Sequence, residues 1–185
     1  MILDTLETLC CLSGVSGRED EVRDYILERV MPFADELYTD AMGNLIVFKK
    51  GAKTPDKRIM LAAHMDEVGL IVTAVEDNGV LRFDTCGGID RRVLPGKRVF
   101  IGDGRVPGVI GAKPIHLTDG EERKSLPKLK ELYIDIGAKD KEEAESLVRI
   151  GDVCVFDDSV VRFGDGFIKA KALDDRVGCA AMLNV

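Results

Sequence analysis

Tryptophan is absent from the 185-residue sequence, and aromatic residues make up only 5% of it. No apolar run approaches the ~20 residues of a membrane-spanning helix, and the N-terminus has neither the basic start nor the long apolar stretch of a signal peptide. Positive charge is scarce as well. The 26 lysines and arginines against 33 aspartates and glutamates give a net charge of −7, which argues against nucleic acid and anionic membranes as partners.

Hydrophobic residues reach 45% of the chain, which is enough for a core and excludes wholesale disorder. The five cysteines are odd in number and do not have the spacing of a disulfide framework: they are Cys10, Cys11, Cys86, Cys154 and Cys179. We therefore expect reduced thiols and a cytoplasmic protein.

Two helices are predicted at the start of the chain. Apolar residues recur at helical spacing over residues 2–12, and a Ser-Gly-rich break follows. Ser16 and Glu19 then have the spacing of a capping box, which predicts a second helix over 16–31.

Strands are predicted next. Residues 35–39 and 44–49 flank a turn sequence and indicate a hairpin. The short apolar run 59–63 is typical of a central strand that is buried on both faces. Helices and strands in this order predict an α/β layer.

The pattern changes after Gly69. Short β-like runs separated by regular turn sequences predict a small barrel or sandwich over residues 70–166. One helix is predicted within it at 140–148, where Asp140 and Glu143 have the spacing of a capping box. The α/β pattern returns at 167–185. The expected fold class is therefore α/β, with a discontinuous domain of residues 1–69 plus 167–185 and an inserted, mainly β domain of residues 70–166.

The strongest chemical signal follows the predicted strand at 59–63. His64 is followed two residues later by Asp66, which suits a metal ligand whose second ring nitrogen is held by a carboxylate. A histidine satisfied by local hydrogen bonds explains the same two residues equally well.

A second signal lies where the chain passes from a strand into a helix. Asp174 and Asp175 are adjacent there, and a carboxylate in this place can bridge two cations. The alternative is ordinary helix capping by Asp174, with Asp175 in the first turn. His116 falls within the β insert, away from both signals, and we expect a structural or surface role for it.

Seven segments of the sequence, taken in the order in which they occur, resemble the tetrahedral (TET) metallo-aminopeptidases, a family that includes glutamyl and deblocking aminopeptidases. The resemblance covers nearly the whole chain, and the matching segments are residues 13–19, 40–44, 63–69, 87–90, 108–116, 134–138 and 172–178. It implies an α/β aminopeptidase domain with two divalent metal ions, zinc or cobalt, and peptide substrates.

The resemblance also assigns individual residues. His64 matches a ligand of one metal ion, Asp174 matches the carboxylate that bridges both ions, and Asp66 matches the catalytic carboxylate that orients the histidine. A cis peptide bond is implied between Asp174 and Asp175. The insert resembles the family's dimerisation domain, through which dimers build a homo-oligomer of twelve subunits.

One departure affects the expected activity. In the family the general-base glutamate and the remaining metal ligands follow the bridging aspartate, whereas this sequence ends eleven residues after Asp174. We therefore expect a truncated and inactive part of a longer aminopeptidase, whose two-metal site is incomplete in this chain.

Two other functions are weighed against the aminopeptidase. A non-catalytic oligomerisation module would keep the insert without the chemistry. An endoglucanase ranks last, because glycoside hydrolysis needs two carboxylic residues flanking the sugar bond, and His64 with Asp66 is not such a pair.

Overall fold

The computed structural model describes residues 2–53, 57–114 and 125–185. Within them the helices are α1 (Ile2–Cys11), α2 (Asp20–Val30), α3 (Lys141–Leu147) and α4 (Leu173–Met182). The strands are β1 (Glu36–Thr39), β2 (Leu45–Phe48), β3 (Gly69–Val75), β4 (Leu81–Cys86), β5 (Arg98–Ile101), β6 (Val106–Gly111), β7 (Tyr133–Asp135), β8 (Val153–Phe156), β9 (Val161–Phe163) and β10 (Phe167–Lys169). These elements form two compact units, one of Met1–Glu67 with Asp158–Val185 and one of Val68–Asp157.

The core of the first unit lies between its helices. Helix α1 packs against α4, and both bury one apolar face while the opposite faces stay exposed. The buried side chains of this core are Leu6, Leu9, Cys10, Val22, Cys179 and Ala180. The helix predicted over 2–12 is therefore confirmed, since its apolar spacing matches the face that α1 buries.

Both sheets of the first unit are two-stranded and antiparallel. Strands β1 and β2 form the predicted hairpin, whose turn is held by Asp40 Oδ1 through the backbone N–H groups of Met42 and Asn44, both at 2.9 Å. Strand β9 pairs with β10 in a second hairpin. Because of this pairing the first unit resumes at Asp158, nine residues before the junction expected from the sequence.

The central strand predicted at 59–63 is wrong. These residues form no strand, and the side chains of Ile59 and Met60 are each 88% exposed. A central strand needs a hydrogen-bonded neighbour on each side, and the described residues provide none, because each hairpin pairs only within itself. The apolar run therefore has no sheet to enter.

The capping box predicted for the second helix is also wrong. Helix α2 begins at Asp20, and Glu19, its N-cap residue, makes no side-chain capping bond. Ser16 instead donates its hydroxyl hydrogen bond to Asp66, fifty residues further along the chain. The acidic residues Asp20 and Glu21 in the first turn favour the helix start through its dipole.

The second unit is a closed six-stranded barrel in the order β3-β4-β7-β6-β5-β8. Alternating residues of its strands point inward, as the burial of Leu70 and Val72 in β3 illustrates. Closure leaves the barrel without a free sheet edge. The prediction of a small barrel between the two α/β segments is confirmed.

Helix α3 of this unit was predicted over 140–148. Asp140 Oδ1 accepts a hydrogen bond of 2.9 Å from the backbone N–H of Glu143, and Glu143 Oε2 accepts one of 2.8 Å from the N–H of Lys139. The helix and its capping aspartate are thus confirmed, with the return bond one residue earlier than in a capping box.

No helix in the described ranges is both long and apolar enough to cross a bilayer. All five cysteines lie in those ranges, and none of them forms a disulfide.

Candidate metal site

The first unit brings together the three side chains singled out in the sequence. His64 Nε2 lies 3.0 Å from Asp174 Oδ1, and His64 Nδ1 lies 3.0 Å from Asp66 Oδ1. The imidazole ring is therefore held between two carboxylates, one at each nitrogen. The three residues come from two places in the chain that are 110 residues apart.

Helix packing and a short backbone pairing produce this arrangement. Asp174 lies at the start of α4, which packs against α1. The segment carrying His64 and Asp66 is tied to the loop after α1, because the N–H of Glu67 donates a 2.8 Å hydrogen bond to the carbonyl of Gly14. Among the described residues the strands of the first unit pair only as two antiparallel hairpins, so this proximity does not come from a shared parallel sheet.

The adjacent aspartates have different tasks. Asp175 Oδ1 accepts a 3.0 Å hydrogen bond from the backbone N–H of Gly178, so Asp175 is the residue that caps the helical turn. The Asp174 side chain is 94% exposed and is directed at His64. The peptide bond between them is cis, as the family resemblance implied. The interpretation of Asp174 as the helix cap is therefore wrong.

Ser16 also belongs to the site, although its spacing to Glu19 predicted a role in capping the second helix. Its hydroxyl donates to Oδ2 of Asp66, while Oδ1 of Asp66 faces His64. His64 Nδ1 also lies 3.3 Å from the backbone carbonyl oxygen of Asp66. Ser16, Asp66, His64 and Asp174 thus form a continuous chain of hydrogen bonds and charge contacts. The Ser-Gly-rich segment around Ser16 is one of the segments that match the TET aminopeptidases, and this match was the sequence signal that could have placed Ser16 in the site.

Two opposing effects act on the pKa of His64. Partial burial alone would lower it, but the hydrogen bond with Asp174 and the negative charge of Asp66 outweigh burial, so the pKa lies above its usual value of 6.5. The site therefore favours a positive charge at the imidazole, whether a proton or an external cation supplies it.

The donor atoms suit a divalent metal ion. A neutral imidazole nitrogen and a carboxylate oxygen are typical ligands of zinc and cobalt, and the 3.0 Å between Nε2 and Oδ1 lets both contact one ion. Asp66 on the far nitrogen is the second partner that metal-bound histidines usually have. Within the described part of the chain, no group of three or more His, Cys, Asp or Glu residues is arranged to hold a metal, so two ligands are available here. His116 lies outside the described residues.

Comparison with known proteins identifies the family. The sequence model of the M42 glutamyl aminopeptidases matches residues 43–185. A protein of Acetivibrio thermocellus is 43% identical over 182 residues, which is 98% of this chain and 52% of that protein. The lysyl aminopeptidase of Pyrococcus furiosus is 33% identical, covering 92% of this chain and 50% of its own length. The glutamyl aminopeptidase of Lactococcus lactis is 31% identical, covering 100% of this chain and 54% of its own length.

Solved structures are also similar to this chain, over nearly its whole length. An aminopeptidase from Desulfurococcus kamchatkensis has a TM-score of 0.90 at 43% identity, over 99% of this chain and 50% of that one. The TET1 peptidase of Pyrococcus horikoshii, which can assemble into a tetrahedron or a large octahedral shell, has a TM-score of 0.86 at 38% identity, over 100% and 55%. An endoglucanase from Thermotoga maritima has a TM-score of 0.83 at 38% identity, over 97% and 52%.

The chain thus spans about half the length of the relatives that it matches. Both the family model and the structural similarity extend over the residues of the candidate site, His64, Asp66 and Asp174. The chain belongs to the M42 glutamyl aminopeptidase family.

Proposed function

We propose that this chain supplies part of the active site of a metal-dependent aminopeptidase, which hydrolyses N-terminal residues from peptides. The observation that carries the proposal is the 3.0 Å approach of His64 Nε2 to Asp174 Oδ1 across 110 residues of sequence. A histidine and an aspartate that serve only local structure have no need of this exposed, long-range pairing. Family membership supports the same reading.

Each residue has a distinct role in this proposal. His64 would hold a metal ion through its imidazole, and the exposed carboxylate of Asp174 would hold the same ion and help to hold a second one. Asp66 faces His64 Nδ1 with its carboxylate Oδ1 at 3.0 Å and its backbone carbonyl at 3.3 Å, and in this proposal it takes the N–H of Nδ1, which fixes the ring orientation and leaves Nε2 for the metal. Ser16 holds the other oxygen of Asp66 and keeps that carboxylate turned toward the ring.

Bound zinc or cobalt would lower the pKa of a coordinated water and polarise the scissile carbonyl. The described residues offer two ligands, which is fewer than the three protein ligands typical of a catalytic metal site. We therefore propose that the 185-residue chain alone does not turn over peptides, and that further ligands and a general base come from polypeptide corresponding to the rest of its relatives.

A chimera tests this proposal. Residues 1–185 are joined to the part of the Acetivibrio thermocellus relative that this chain does not match, and the isolated chain is assayed in parallel. Leucyl, glutamyl and lysyl anilides are the substrates, with added zinc or cobalt. The chimera should release aniline, and His64→Asn or Asp174→Asn should abolish the release, while the isolated chain should be inactive.

Two results would contradict the proposal. One is a folded, metal-loaded chimera without activity. The other is turnover by the isolated chain that survives purification and disappears in Asp174→Ala. Carboxymethylcellulose is the control substrate, because a structural relative is an endoglucanase. We expect no hydrolysis of it, since Asp66 and Asp174 contact opposite ends of one imidazole ring and leave no room for a sugar bond between them.

The proposal extends to assembly and location. We propose a homo-oligomer formed through the barrel unit Val68–Asp157, supported by the shell-forming Pyrococcus horikoshii relative. The non-catalytic oligomerisation module remains the alternative, and an inactive chimera that still assembles would favour it. A cytoplasmic location is supported by five cysteines without a disulfide.

A further inference from the structure

A buried ionic cluster lies next to the candidate site in the first unit. The side chains of Glu67, Lys171 and Arg176 are 3%, 7% and 0% exposed. Glu67 Oε1 lies 2.6 Å from Lys171 Nζ and 3.6 Å from Arg176 Nη2. Two cations therefore share one carboxylate away from water. Such burial carries a large desolvation cost, which lowers the pKa of both cations although Glu67 opposes the shift.

Arg176 is joined to the site by its hydrogen bonds. Its Nε donates to the carbonyl of Met65 at 2.9 Å, and its Nη1 donates to the carbonyl of Leu9 in the last turn of α1. Met65 lies between His64 and Asp66, and fixing its carbonyl fixes the peptide unit that joins Met65 to Asp66, one residue after His64. Arg176 also lies two residues after Asp174 on α4.

The remaining nitrogen of Arg176 is confined rather than bonded. Among the described residues, Nη2 is buried and has no hydrogen-bond partner. A Cβ atom built on Gly14 would lie 2.5 Å from Nη2, so only glycine leaves room for the guanidinium. The planar group is therefore held in one position by two carbonyls, a carboxylate and a glycine.

Lys171 and Glu67 secure the other end of the same segment. Lys171 Nζ donates to the carbonyl of Leu12 at 2.6 Å, and the backbone N–H of Gly14 donates to Glu67 Oε1 at 3.1 Å. The segment from His64 to Glu67 is thus attached to the chain just after α1. Arg176 connects this segment to the helix carrying Asp174, and Cys179 of the same helix adds a weaker contact, in which its Sγ donates to the carbonyl of His64 at 3.4 Å.

We infer that Arg176 is a positioning residue of the metal site, holding His64 and Asp66 at the distance from Asp174 that one ion requires. The inference rests on the proposed function, because it concerns the same two ligands. The hydrogen bonds of Arg176 go to backbone carbonyls, and it acts on the site through the carbonyl of Met65. A planar guanidinium donates to both carbonyls at once, which lysine cannot reproduce.

Cobalt binding to the 185-residue chain is the first readout. Isothermal titration measures the Co²⁺ dissociation constant for Arg176→Met and Arg176→Lys. Arg162→Met is the control, because Arg162 is an exposed arginine of the same unit that pairs with Glu7. We expect Arg176→Met to weaken binding by about tenfold or more, Arg176→Lys to be intermediate, and the control to match the parent within about twofold.

A double-mutant cycle separates positioning from general stability. Arg176→Met is repeated in an Asp66→Ala background, where the ring has already lost its orienting carboxylate. If Arg176 acts by positioning His64 and Asp66, Arg176→Met should weaken Co²⁺ binding much less in the Asp66→Ala background than in the parent chain. An equal loss of Co²⁺ affinity in both backgrounds would overturn the inference. It would also be overturned if Arg176→Met lowered Tm but left the Co²⁺ affinity unchanged.

A second readout needs no metal. The chain has only two histidines, so the ring signals of His64 can be assigned in NMR spectra with His116→Asn. Arg176→Met should shift or broaden the His64 ring signals and leave those of His116 in place. A parent chain that binds no Co²⁺ would contradict a shared ion at His64 and Asp174 in the isolated chain, and unchanged His64 signals would then overturn the positioning role separately. The proposed function itself fails only with an inactive, metal-loaded chimera, so the two failures are distinguishable. Where Arg176→Met fails to fold, Gly14→Ala displaces the same guanidinium and should show the same pattern.

Discussion

Oδ1 of Asp175 accepts a hydrogen bond of 3.0 Å from the backbone N–H of Gly178, three residues further along α4. Its neighbour Asp174 makes its contact with His64 instead. The two adjacent carboxylates therefore separate helix capping from the contact with His64, although both are aspartates at a helix start.

Alanine substitutions at the two positions should have different effects. Asp175→Ala should lower the free energy of unfolding by about 1 kcal/mol, the usual value of an aspartate cap. Asp174→Ala should cost less than about 0.5 kcal/mol, because its side chain is 94% exposed. Urea unfolding of the metal-free chain, followed by circular dichroism, measures both. A larger cost for Asp174→Ala would mean that Asp174 is the cap.

Ser16→Ala should weaken Co²⁺ binding without changing the fold. The hydroxyl of Ser16 holds Oδ2 of Asp66, and its loss lets that carboxylate rotate away from His64. We expect a loss of affinity of about threefold to tenfold, the range of one modest hydrogen bond. Ser146→Ala, which removes a hydroxyl bond within the barrel unit, is the matched control and should leave Co²⁺ affinity unchanged. Equal affinity for Ser16→Ala and the parent would remove Ser16 from the site.

The sequence predicted local features better than long-range pairing. The β1–β2 hairpin and the cap at Asp140 depend on neighbouring residues, and the pattern predicted both correctly. The barrel followed from regular turn spacing. In contrast, Ser16 and Glu19 have capping-box spacing, but tertiary structure gives Ser16 a partner fifty residues away. The spacing of residues along the sequence does not indicate which of these partners Ser16 takes.

The apolar run at 59–63 illustrates a second limit. Its composition is that of a buried strand, but a strand forms only where neighbouring strands offer hydrogen bonds. The described residues contain no such neighbours for it. The buried partners Glu67, Lys171 and Arg176 were missed for a related reason, since charged residues are rarely buried and no local pattern marks the exceptions.

Hydrogen exchange tests the unpaired state of this run. In the isolated chain the backbone amides of residues 59–63 should exchange quickly, because they belong to no strand and their side chains from Ile59 to Leu61 are exposed. The amides of β3 in the barrel serve as the protected control. Slow exchange at 59–63 would contradict the exposed conformation.

Alkaline conditions should destabilise the folded chain through its buried thiols. Burial raises the pKa of Cys10 to about 11 and that of Cys154 to about 12, from 9.0 when exposed. Above pH 9 the unfolded chain loses thiol protons that the folded chain keeps, so the free energy of unfolding should fall as pH rises from 9 toward 11. Cys154→Ala should reduce this slope. An unchanged slope would show that the thiol of Cys154 does not govern it.

The central claim is that His64 and Asp174 bind the same divalent ion, and Co²⁺ titration of the 185-residue chain tests it most directly. Calorimetry and the visible absorption of bound Co²⁺ are measured for the parent, His64→Asn, Asp174→Asn and the control His116→Asn. We predict one ion per chain, a loss of affinity of more than about tenfold in each of the first two variants, and parent-like binding in the control. Binding that survives both His64→Asn and Asp174→Asn, or that disappears equally in His116→Asn, would contradict the claim.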